Sequence, residues 1–338
     1  MKPRDVILAQ IHHEETRPVP FTLHWEGEVG DRLDEYYGGP QWRERIPDYF
    51  GGYGAVDHSR DKSLDDRPHI TRNPYGTVLR WDKRPFHIVE TPLKEPSFDN
   101  YTFPGFEAFF DPERKEEQRQ AAEADTERFK TGGLGFGLFE RSWLICGFEN
   151  ALAYMVGEPD FYAELLDKIC DLYVECVKHN ADLAIDGIMF GDDWGDQRGV
   201  IMGPERWREL FKPRVAKMYA AAKERGLYVL QHTCGNVSEI VPDLIEVGLD
   251  VLESVQPEAM NPYELKRKYG SNLTFWGGLG SQSTIPFGTP DEICAEVKHL
   301  CREMGKGGGY ILAGAKGLQP ETPTENAVAV LDAFTNQE

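Results

Sequence analysis

The feature that most constrains the fold is a regular alternation of short β-rich runs with longer helical runs, from about Gly132 to the C-terminus. Strands are predicted at 133–139, 185–190, 227–231, 250–255, 273–276 and 310–313, and helices at 161–183, 204–225, 237–247, 262–269, 290–304 and 324–334. With a further strand at 18–25, this α/β pattern predicts a TIM-type (β/α)8 barrel, and a doubly wound parallel sheet is the alternative.

The stretch 26–130 is too long to be one βα connection. It contains the turn signal Asn73-Pro74-Tyr75-Gly76, followed by alternating apolar residues between 78 and 89, which predicts a β-hairpin. We therefore predict a single barrel domain over residues 1–338, with a hairpin-containing insertion at about 26–130 after the first strand. Such an insertion is either a lid or substrate wall, or a packing appendage.

Charge and composition exclude several classes of function. The chain carries 37 Lys and Arg against 57 Asp and Glu, a net charge of -20, which opposes binding to nucleic acid and to anionic membrane surfaces. It has no run of apolar residues long enough for a membrane span, and its start lacks the apolar region of a secretory signal. The six cysteines form no CxxC pair. We expect reduced thiols and a cytoplasmic protein.

In a parallel barrel, the chemistry lies where strands end and βα loops begin. Polar residues follow almost every predicted strand. Those that we single out are Glu140 after the strand at 133–139, Asp192, Asp193 and Gln197 after the next, then His232, Cys234, Glu253, Gln256, Gln282 and Lys316. Because several strands supply them, the pattern is typical of an enzyme that acts on a small molecule.

The sharpest motif is His232-Thr233-Cys234-Gly235. Residues two apart at an extended strand end point to the same side, so the imidazole of His232 and the thiol of Cys234 are expected to face one space. A histidine nitrogen and a thiolate together suit Zn²⁺. The plainer alternative is a buried histidine and a small apolar cysteine that only pack.

Two ligands do not hold zinc tightly, so the site needs a third. We predict Glu253 in this role, with Gln256, Glu140 and the Asp192/Asp193 pair as the other oxygen donors. The loop of the last strand reads Ala313-Gly314-Ala315-Lys316 and offers no second cysteine. The predicted ligand set is therefore incomplete.

Adjacent carboxylates in a loop point different ways, so only one of Asp192 and Asp193 need face the cavity, while the other caps a helix or pairs with an arginine. We predict Asp193, His232 and Glu140 as the catalytic groups, in acid–base or orienting roles. A purely structural turn is the alternative for both aspartates. The residues predicted to bind a cofactor are Asp192, Gln197, Gln256, Gln282 and Lys316.

Several segments together resemble the uroporphyrinogen decarboxylase superfamily: 204–235, ending in His-Thr-Cys-Gly; 236–256; Phe275-Trp276-Gly277-Gly278 with Gln282; and 307–323, GGGYILAGAKGLQPETP. The resemblance covers roughly Gly132 to the C-terminus. It implies a TIM-type barrel.

That superfamily contains two activities. The true decarboxylases hold an octa-acidic tetrapyrrole with arginines just after the first strand, but here that position reads His24-Trp25-Glu26-Gly27-Glu28, which is acidic. The other branch moves methyl groups to or from a corrinoid protein. In it an HxC pair, matching His232 and Cys234, holds zinc together with a further cysteine near the last strand, where this chain has Lys316 or Gln319.

The resemblance therefore favours a methyl-transfer enzyme that works between a corrinoid protein and a small thiol or folate, with zinc keeping an acceptor thiol nucleophilic. A folate acceptor would not need the zinc. Two alternatives are a metal-free decarboxylase or lyase, with a substrate carboxylate gripped by Arg141 or Arg198, and a non-catalytic binding homologue. The sequence leaves the methyl donor, the acceptor and the oligomeric state open, a homodimer included.

Overall fold

The computed structural model describes residues 1–57, 61–64, 67–82 and 86–337. Its strands are β1 (Phe50–Tyr53), β2 (Lys62–Leu64), β3 (Arg67–Arg72), β4 (Val78–Arg80), β5 (His87–Glu90), β6 (Phe129–Phe136), β7 (Gly187–Gly191), β8 (Tyr228–His232), β9 (Val251–Val255), β10 (Thr274–Leu279) and β11 (Tyr310–Gly314). Seven of them form a parallel sheet in the order β1-β6-β7-β8-β9-β10-β11. Because a doubly wound sheet reverses its strand order, this sequential order confirms the predicted TIM-type barrel.

The segment at 18–25, predicted as the first strand, lies beside β11. It makes two isolated parallel bridges, between Phe21 and Leu312 and between Trp25 and Leu318. Pro18 and Pro20 have no N–H to donate, which keeps this segment from forming a longer ladder. The segment takes the eighth position of the barrel without being a continuous strand.

Strand β1 falls inside the stretch that the sequence analysis assigned to a hairpin-containing insertion, and no strand was predicted at 50–53. Its sequence, Phe-Gly-Gly-Tyr, is short, and glycine is depleted in strands, so it carries no alternating pattern. It pairs with the start of β6, with Phe50 opposite Phe129. The chain between 26 and 130 thus contributes one strand to the barrel.

The rest of this stretch builds a separate antiparallel sheet in the order β2-β3-β4-β5. Its central turn is the predicted hairpin: Asn73 Oδ1 accepts a hydrogen bond from the Thr77 N–H at 3.0 Å, and Gly76 has a φ of 95°. Thr77 Oγ1 donates to the Leu144 carbonyl at 2.8 Å. The hairpin is therefore tied to the barrel.

The described helices are α1 (Pro3–Ile11), α2 (Val29–Tyr37), α3 (Pro112–Ala124), α4 (Leu138–Cys146), α5 (Phe148–Gly157), α6 (Pro159–Ala181), α7 (Pro204–Leu210), α8 (Lys212–Lys223), α9 (Val241–Glu246), α10 (Pro262–Tyr269), α11 (Thr284–Phe287), α12 (Pro290–Glu303) and α13 (Thr324–Thr335). The helix predicted at 204–225 is two helices, because Pro213 has no N–H to donate to the preceding turn. None of the described helices has the length and apolar composition needed to cross a bilayer.

Apolar packing closes the end of the barrel at which the strands begin. Ile7 and Ile11 of α1 pack with Phe129, Leu230 and Val251 in one buried cluster. Because this end is sealed by hydrocarbon, the polar strand-end residues are left to the opposite end of the barrel.

Candidate metal and substrate site

Strand register aligns the predicted site residues at the carboxyl ends of β6 to β9. Phe136 lies opposite Gly191, Gly191 opposite His232, and His232 opposite Glu253. Neighbouring strands are roughly 4.8 Å apart, so residues at and just after these positions are close together. The barrel mouth therefore brings His232 and Glu253 into contact and places the loops after β7 and β8 beside them.

The His232 ring is held by Glu253. Its Nδ1 atom makes a short hydrogen bond with Glu253 Oε2, which leaves Nε2 directed at the loops after β7 and β8. A carboxylate on one ring nitrogen fixes the orientation in which the other nitrogen serves as a ligand. Burial disfavours the imidazolium, but the neighbouring Glu253 carboxylate raises the pKa of His232 well above its ordinary value.

Three ligand atoms from separate side chains meet beyond that ring. His232 Nε2 lies 3.5 Å from Cys234 Sγ and 3.5 Å from Asp193 Oδ1, and the three groups offer ligand atoms within 4.8 Å of one another. Bonds of about 2.0–2.3 Å to a tetrahedral zinc ion set its ligand atoms roughly 3.3–3.8 Å apart. The two distances from His232 fall in this range, and nitrogen, sulfur and oxygen are all donors that zinc accepts.

Two glycines hold this cluster together. Gly235 has a φ of 76°, and a Cβ atom on it would lie 2.3 Å from the Gly195 backbone. The Asn236 N–H donates to the Asp196 carbonyl at 2.7 Å. Because the loops after β7 and β8 touch through bare backbone, Asp193 Oδ1 also reaches the Cys234 N–H at 2.8 Å.

The Cys234 thiol must lose its proton before it can bind a metal. Burial raises the pKa of the Cys234 thiol above its ordinary value, and the hydrogen bond from His232 only partly opposes this. Metal ligation requires the thiolate. A cation among these three side chains would supply the missing stabilisation, which is a second respect in which the residues fit a metal.

The two adjacent aspartates have different surroundings. Asp192 is 2% exposed, and its carboxylate accepts hydrogen bonds from the N–H groups of Phe139 and Glu140, both at 2.9 Å, and from the Trp194 indole at 2.7 Å. It caps the start of α4. We predicted Asp192 as a cofactor ligand; the structure shows its oxygens engaged within the fold, and the cofactor role stays a prediction. Asp193 is the aspartate that faces the cluster.

Glu140, predicted as catalytic, lies in the first turn of α4 and is 8% exposed. Burial, together with the charges of Asp192 and Asp193, raises its pKa to about 8, although the Asp193 N–H donates to it. The structure brings Glu140 next to the cluster, and its catalytic role stays a prediction.

Glu253, predicted as a metal ligand, is not part of the three-ligand group found among the described residues. It bonds to Nδ1, on the opposite side of the ring from Asp193 and Cys234. Asp193, predicted as a catalytic group and as one of the alternative oxygen donors, has the position expected of the third ligand. The sequence pattern does not establish which of Glu253 and Asp193 lies in the third-ligand position, because the position of Asp193 depends on the path of the loop after β7.

The remaining predicted cofactor ligands lie around the rim. Gln197 Nε2 donates to Gln282 Oε1 at 3.3 Å, which links the loops after β7 and β10. Gln256 accepts from the Gly235 N–H at 3.3 Å, and its buried Nε2 has no hydrogen-bond partner in the described chain. Lys316 is exposed. The structure thus brings Gln256 to the cluster and leaves the other three at the entrance.

A pocket of about 200 Å³ opens inside the barrel mouth. Its lining includes Glu253, which also contacts the His232 ring, and Lys316. Sequence reasoning missed Trp276, which also lines this pocket, stacks on Phe50 at 4.5 Å and donates to Thr22 Oγ1 at 2.9 Å. The available signal was its place in a predicted strand, where alternate residues point into the barrel.

Comparison with known proteins gives concordant results. The family described as uroporphyrinogen decarboxylase (URO-D) matches residues 139–337. A methylcobamide:CoM methyltransferase, MtaA of Methanosarcina barkeri, is 25% identical over 185 residues, 55% of this chain and 52% of that protein. The uroporphyrinogen decarboxylase of Coxiella burnetii is 21% identical over 192 residues, 56% of this chain and 51% of that protein. The chain spans about half the length of these curated relatives.

A solved structure, described as a methyltransferase from Methanosarcina mazei, matches 99% of this chain and 98% of that one, with a TM-score of 0.72 and 19% identity. At this level of identity, the match speaks for the fold alone. It agrees with the barrel described above.

Proposed function

The chain belongs to the uroporphyrinogen decarboxylase family, and from this premise we propose that it is a zinc-assisted methyl-transfer enzyme. The observation that carries the proposal is the grouping of Asp193, His232 and Cys234, with ligand atoms within 4.8 Å of one another at the barrel mouth. The similarity to MtaA supports methyl transfer as the reaction.

In this proposal the metal is held by Cys234 Sγ, His232 Nε2 and a carboxylate oxygen of Asp193. Glu253 is a positioning residue that accepts the Nδ1–H of His232 and keeps Nε2 directed at the metal. Three protein ligands leave the fourth position of a tetrahedral ion for a small molecule, as in catalytic zinc sites. A bound zinc ion would supply Lewis-acid activation of a sulfur or oxygen atom at neutral pH.

We further propose that the methyl group passes between a corrinoid carried by a separate protein and a small thiol or folate. The support for the corrinoid is that the related MtaA is a methylcobamide:CoM methyltransferase. The pocket beside Glu253 gives a small molecule access to the strand ends.

Decarboxylation is the second candidate, because curated relatives at 21–24% identity are uroporphyrinogen decarboxylases. Two observations disfavour the tetrapyrrole substrate. The segment after residue 23 contains Glu26 and Glu28, whose charges oppose a polycarboxylate. The pocket of about 200 Å³ is small for a four-ring molecule.

Metal content tests the zinc site directly. Protein purified without added zinc is expected to hold about one zinc ion per chain, and His232→Ala, Cys234→Ser and Asp193→Asn are each expected to lose most of it. Cys294→Ser is the matched control, because Cys294 is a half-buried thiol on α12. Equal metal content in the Cys234 and Cys294 variants would exclude the proposed ligand set.

Transfer is tested by mixing the zinc-loaded enzyme with methylcobalamin and a panel of small thiols or tetrahydrofolate, and following the visible spectrum of the corrinoid. We expect demethylation of the corrinoid with at least one acceptor, and none with Cys234→Ser. Carbon dioxide release from uroporphyrinogen without any corrinoid reaction would favour the decarboxylase instead.

A further inference from the structure

A second cavity, of about 380 Å³, lies between the barrel and the antiparallel insertion sheet. We call it the insertion cavity. Its walls come from the end of β6, from α4, and from β4 with the residue that follows it. Most of its lining is apolar and includes Val56, Leu79, Trp81, Leu134, Phe136 and Leu144. Among the described residues, four polar side chains also line it, those of Asp57, Asp61, Asn73 and Arg141.

Arg141 is a buried cation at this cavity. It is 3% exposed, its Nε atom donates to the Tyr173 hydroxyl at 3.2 Å, and its guanidinium lies 4.3 Å from the centre of the Tyr75 ring. In the ranges that the structure describes, no carboxylate forms an ion pair with it. Glu140 and Asp61 influence it only at longer range.

The two carboxylates that line the cavity already have partners. Asp57 lies 3.6 Å from the Arg114 guanidinium, and Asp61 accepts a hydrogen bond from Thr71 Oγ1 at 2.8 Å. Arg114 is the counter-ion of Asp57, whereas Asp61 has a neutral partner and interacts with Arg141 only at longer range, so that no described carboxylate is paired directly with Arg141. A buried charge is costly unless it is paired, and a guanidinium whose Nε is engaged still offers the donors of both Nη groups. The natural complement is an anion with two oxygens.

We propose that the insertion cavity binds a small carboxylate with a flat apolar body, and that Arg141 receives its carboxylate group. The rings of Trp81 and Phe136 suit a planar body, and the stacking of Arg141 on Tyr75 holds the guanidinium in place before the ligand arrives. Arg198, the other arginine considered for this role, has a side chain 91% exposed and is paired with Asp196, so it is not part of this site.

The cavity is close to the zinc cluster. Phe136, which lines it, lies opposite Gly191, and Gly191 lies opposite His232, so that two strand spacings, roughly 10 Å, separate Phe136 from His232. A ligand anchored at Arg141 could therefore extend along the rim towards the cluster. We take it to be the small-molecule substrate, and only that assignment rests on the proposed function.

Benzoate is the probe that tests the site, with neutral benzamide as its isostere. Titration is followed by calorimetry and by tryptophan fluorescence, for which Trp81 is the expected reporter. We expect saturable binding of benzoate, at least tenfold weaker binding of benzamide, and at least tenfold weaker binding of benzoate by Arg141→Gln. Arg198→Gln, the exposed control, is expected to bind benzoate as the unmodified protein does.

Equal binding of benzoate and benzamide, or unchanged affinity in a folded Arg141→Gln, would overturn the proposal, as would the absence of saturable binding. Circular dichroism establishes whether Arg141→Gln folds. If it does not fold, Trp81→Ala replaces it, and we expect this variant to bind benzoate at least threefold more weakly. Unchanged affinity of Trp81→Ala for benzoate would overturn the proposal.

Failure here is distinguishable from failure of the zinc site. Cys234→Ser is expected to lose zinc and keep its affinity for benzoate. Zinc binding at the cluster without benzoate binding would overturn only the inference about Arg141. Benzoate binding without zinc would support the inference and would remove the metal from the proposed function.

Discussion

At the residue scale, the neighbouring carboxylates of Asp192 and Asp193 show how the direction of a side chain determines its contacts. Asp192 is the first residue after β7, and it accepts three hydrogen bonds, two from the start of α4 and one from Trp194. Asp193 points the other way, towards His232 and Cys234. Because adjacent side chains in extended backbone point in opposite directions, we expected one aspartate to face the cavity and the other to have a structural role. The sequence did not show which aspartate has which role.

This division predicts opposite outcomes for one substitution made at two positions. Asp192→Asn replaces one acceptor oxygen by an NH2 group that faces donors, so we expect a loss of about 2–4 kcal/mol in the free energy of unfolding. Asp193→Asn is expected to change stability by less than about 1 kcal/mol and to lose zinc. Urea denaturation and metal analysis of both variants make the comparison. A stable Asp192→Asn would contradict the capping role.

Glu253 offers a prediction about positioning. In the proposed site, its contact with His232 Nδ1 orients the ring from the side opposite the proposed metal, so Glu253→Ala is expected to weaken zinc binding roughly 10- to 100-fold. Glu253→Gln, which can still accept the Nδ1–H through its amide oxygen, is expected to lose less. Competition with a chromophoric chelator measures both affinities. If the two variants bind zinc equally well and as tightly as the parent protein, Glu253 has no positioning role.

At the scale of single elements, the quality of the sequence prediction followed the length and regularity of the apolar pattern. The helix predicted at 262–269 has those bounds in the structure, with a proline at its start. Strand β1 was missed, because four residues with two glycines carry no alternation. The break between α7 and α8 was missed as well, because the apolar residues continue through it at helical spacing while Pro213 interrupts the hydrogen bonds.

The contacts between β1 and the residues just before β6 give a prediction about how the free energy of unfolding depends on pH. Asp125 precedes β6, and its side chain is 8% exposed and accepts hydrogen bonds from the Tyr53 hydroxyl at 2.7 Å and from Arg128 Nε at 2.7 Å. Burial opposes its ionisation, but these hydrogen bonds and those from the Glu127 and Arg128 N–H groups set the pKa of Asp125 well below its ordinary value.

Because the folded-state pKa is depressed, the stabilisation is present above the unfolded-state pKa of about 4 and is lost as pH falls further towards the folded-state value. Asp125→Asn is therefore expected to lower the free energy of unfolding by about 1–3 kcal/mol at pH 7, and by progressively less below about pH 4. Urea denaturation at a series of pH values measures the difference. A difference that does not change between pH 7 and pH 3 would rule out this carboxylate as its source.

At the scale of the whole molecule, the barrel plan was predictable and the completed site was not. The strand-end motif at His232 and Cys234 follows from the periodicity of a single strand. The position of Asp193, the proposed third ligand, depends on the close approach of Gly195 to Gly235, and the insertion cavity depends on where a separate sheet packs. Both are contacts between distant segments, about which local sequence patterns carry no information.

The barrel places packing and the candidate site at opposite ends of its axis, since α1 seals one end with apolar side chains and the three candidate ligand residues lie at the other. Ile7→Ala, at a fully buried side chain, is expected to cost about 2–5 kcal/mol in the free energy of unfolding, and Ile7→Val about 0.5–1.5 kcal/mol. Neither is expected to change the zinc affinity of the folded protein. Denaturation and zinc titration of the two variants test this together: a drop in zinc affinity that follows the loss of stability, measured while the protein is still folded, would mean that the two ends of the barrel are coupled.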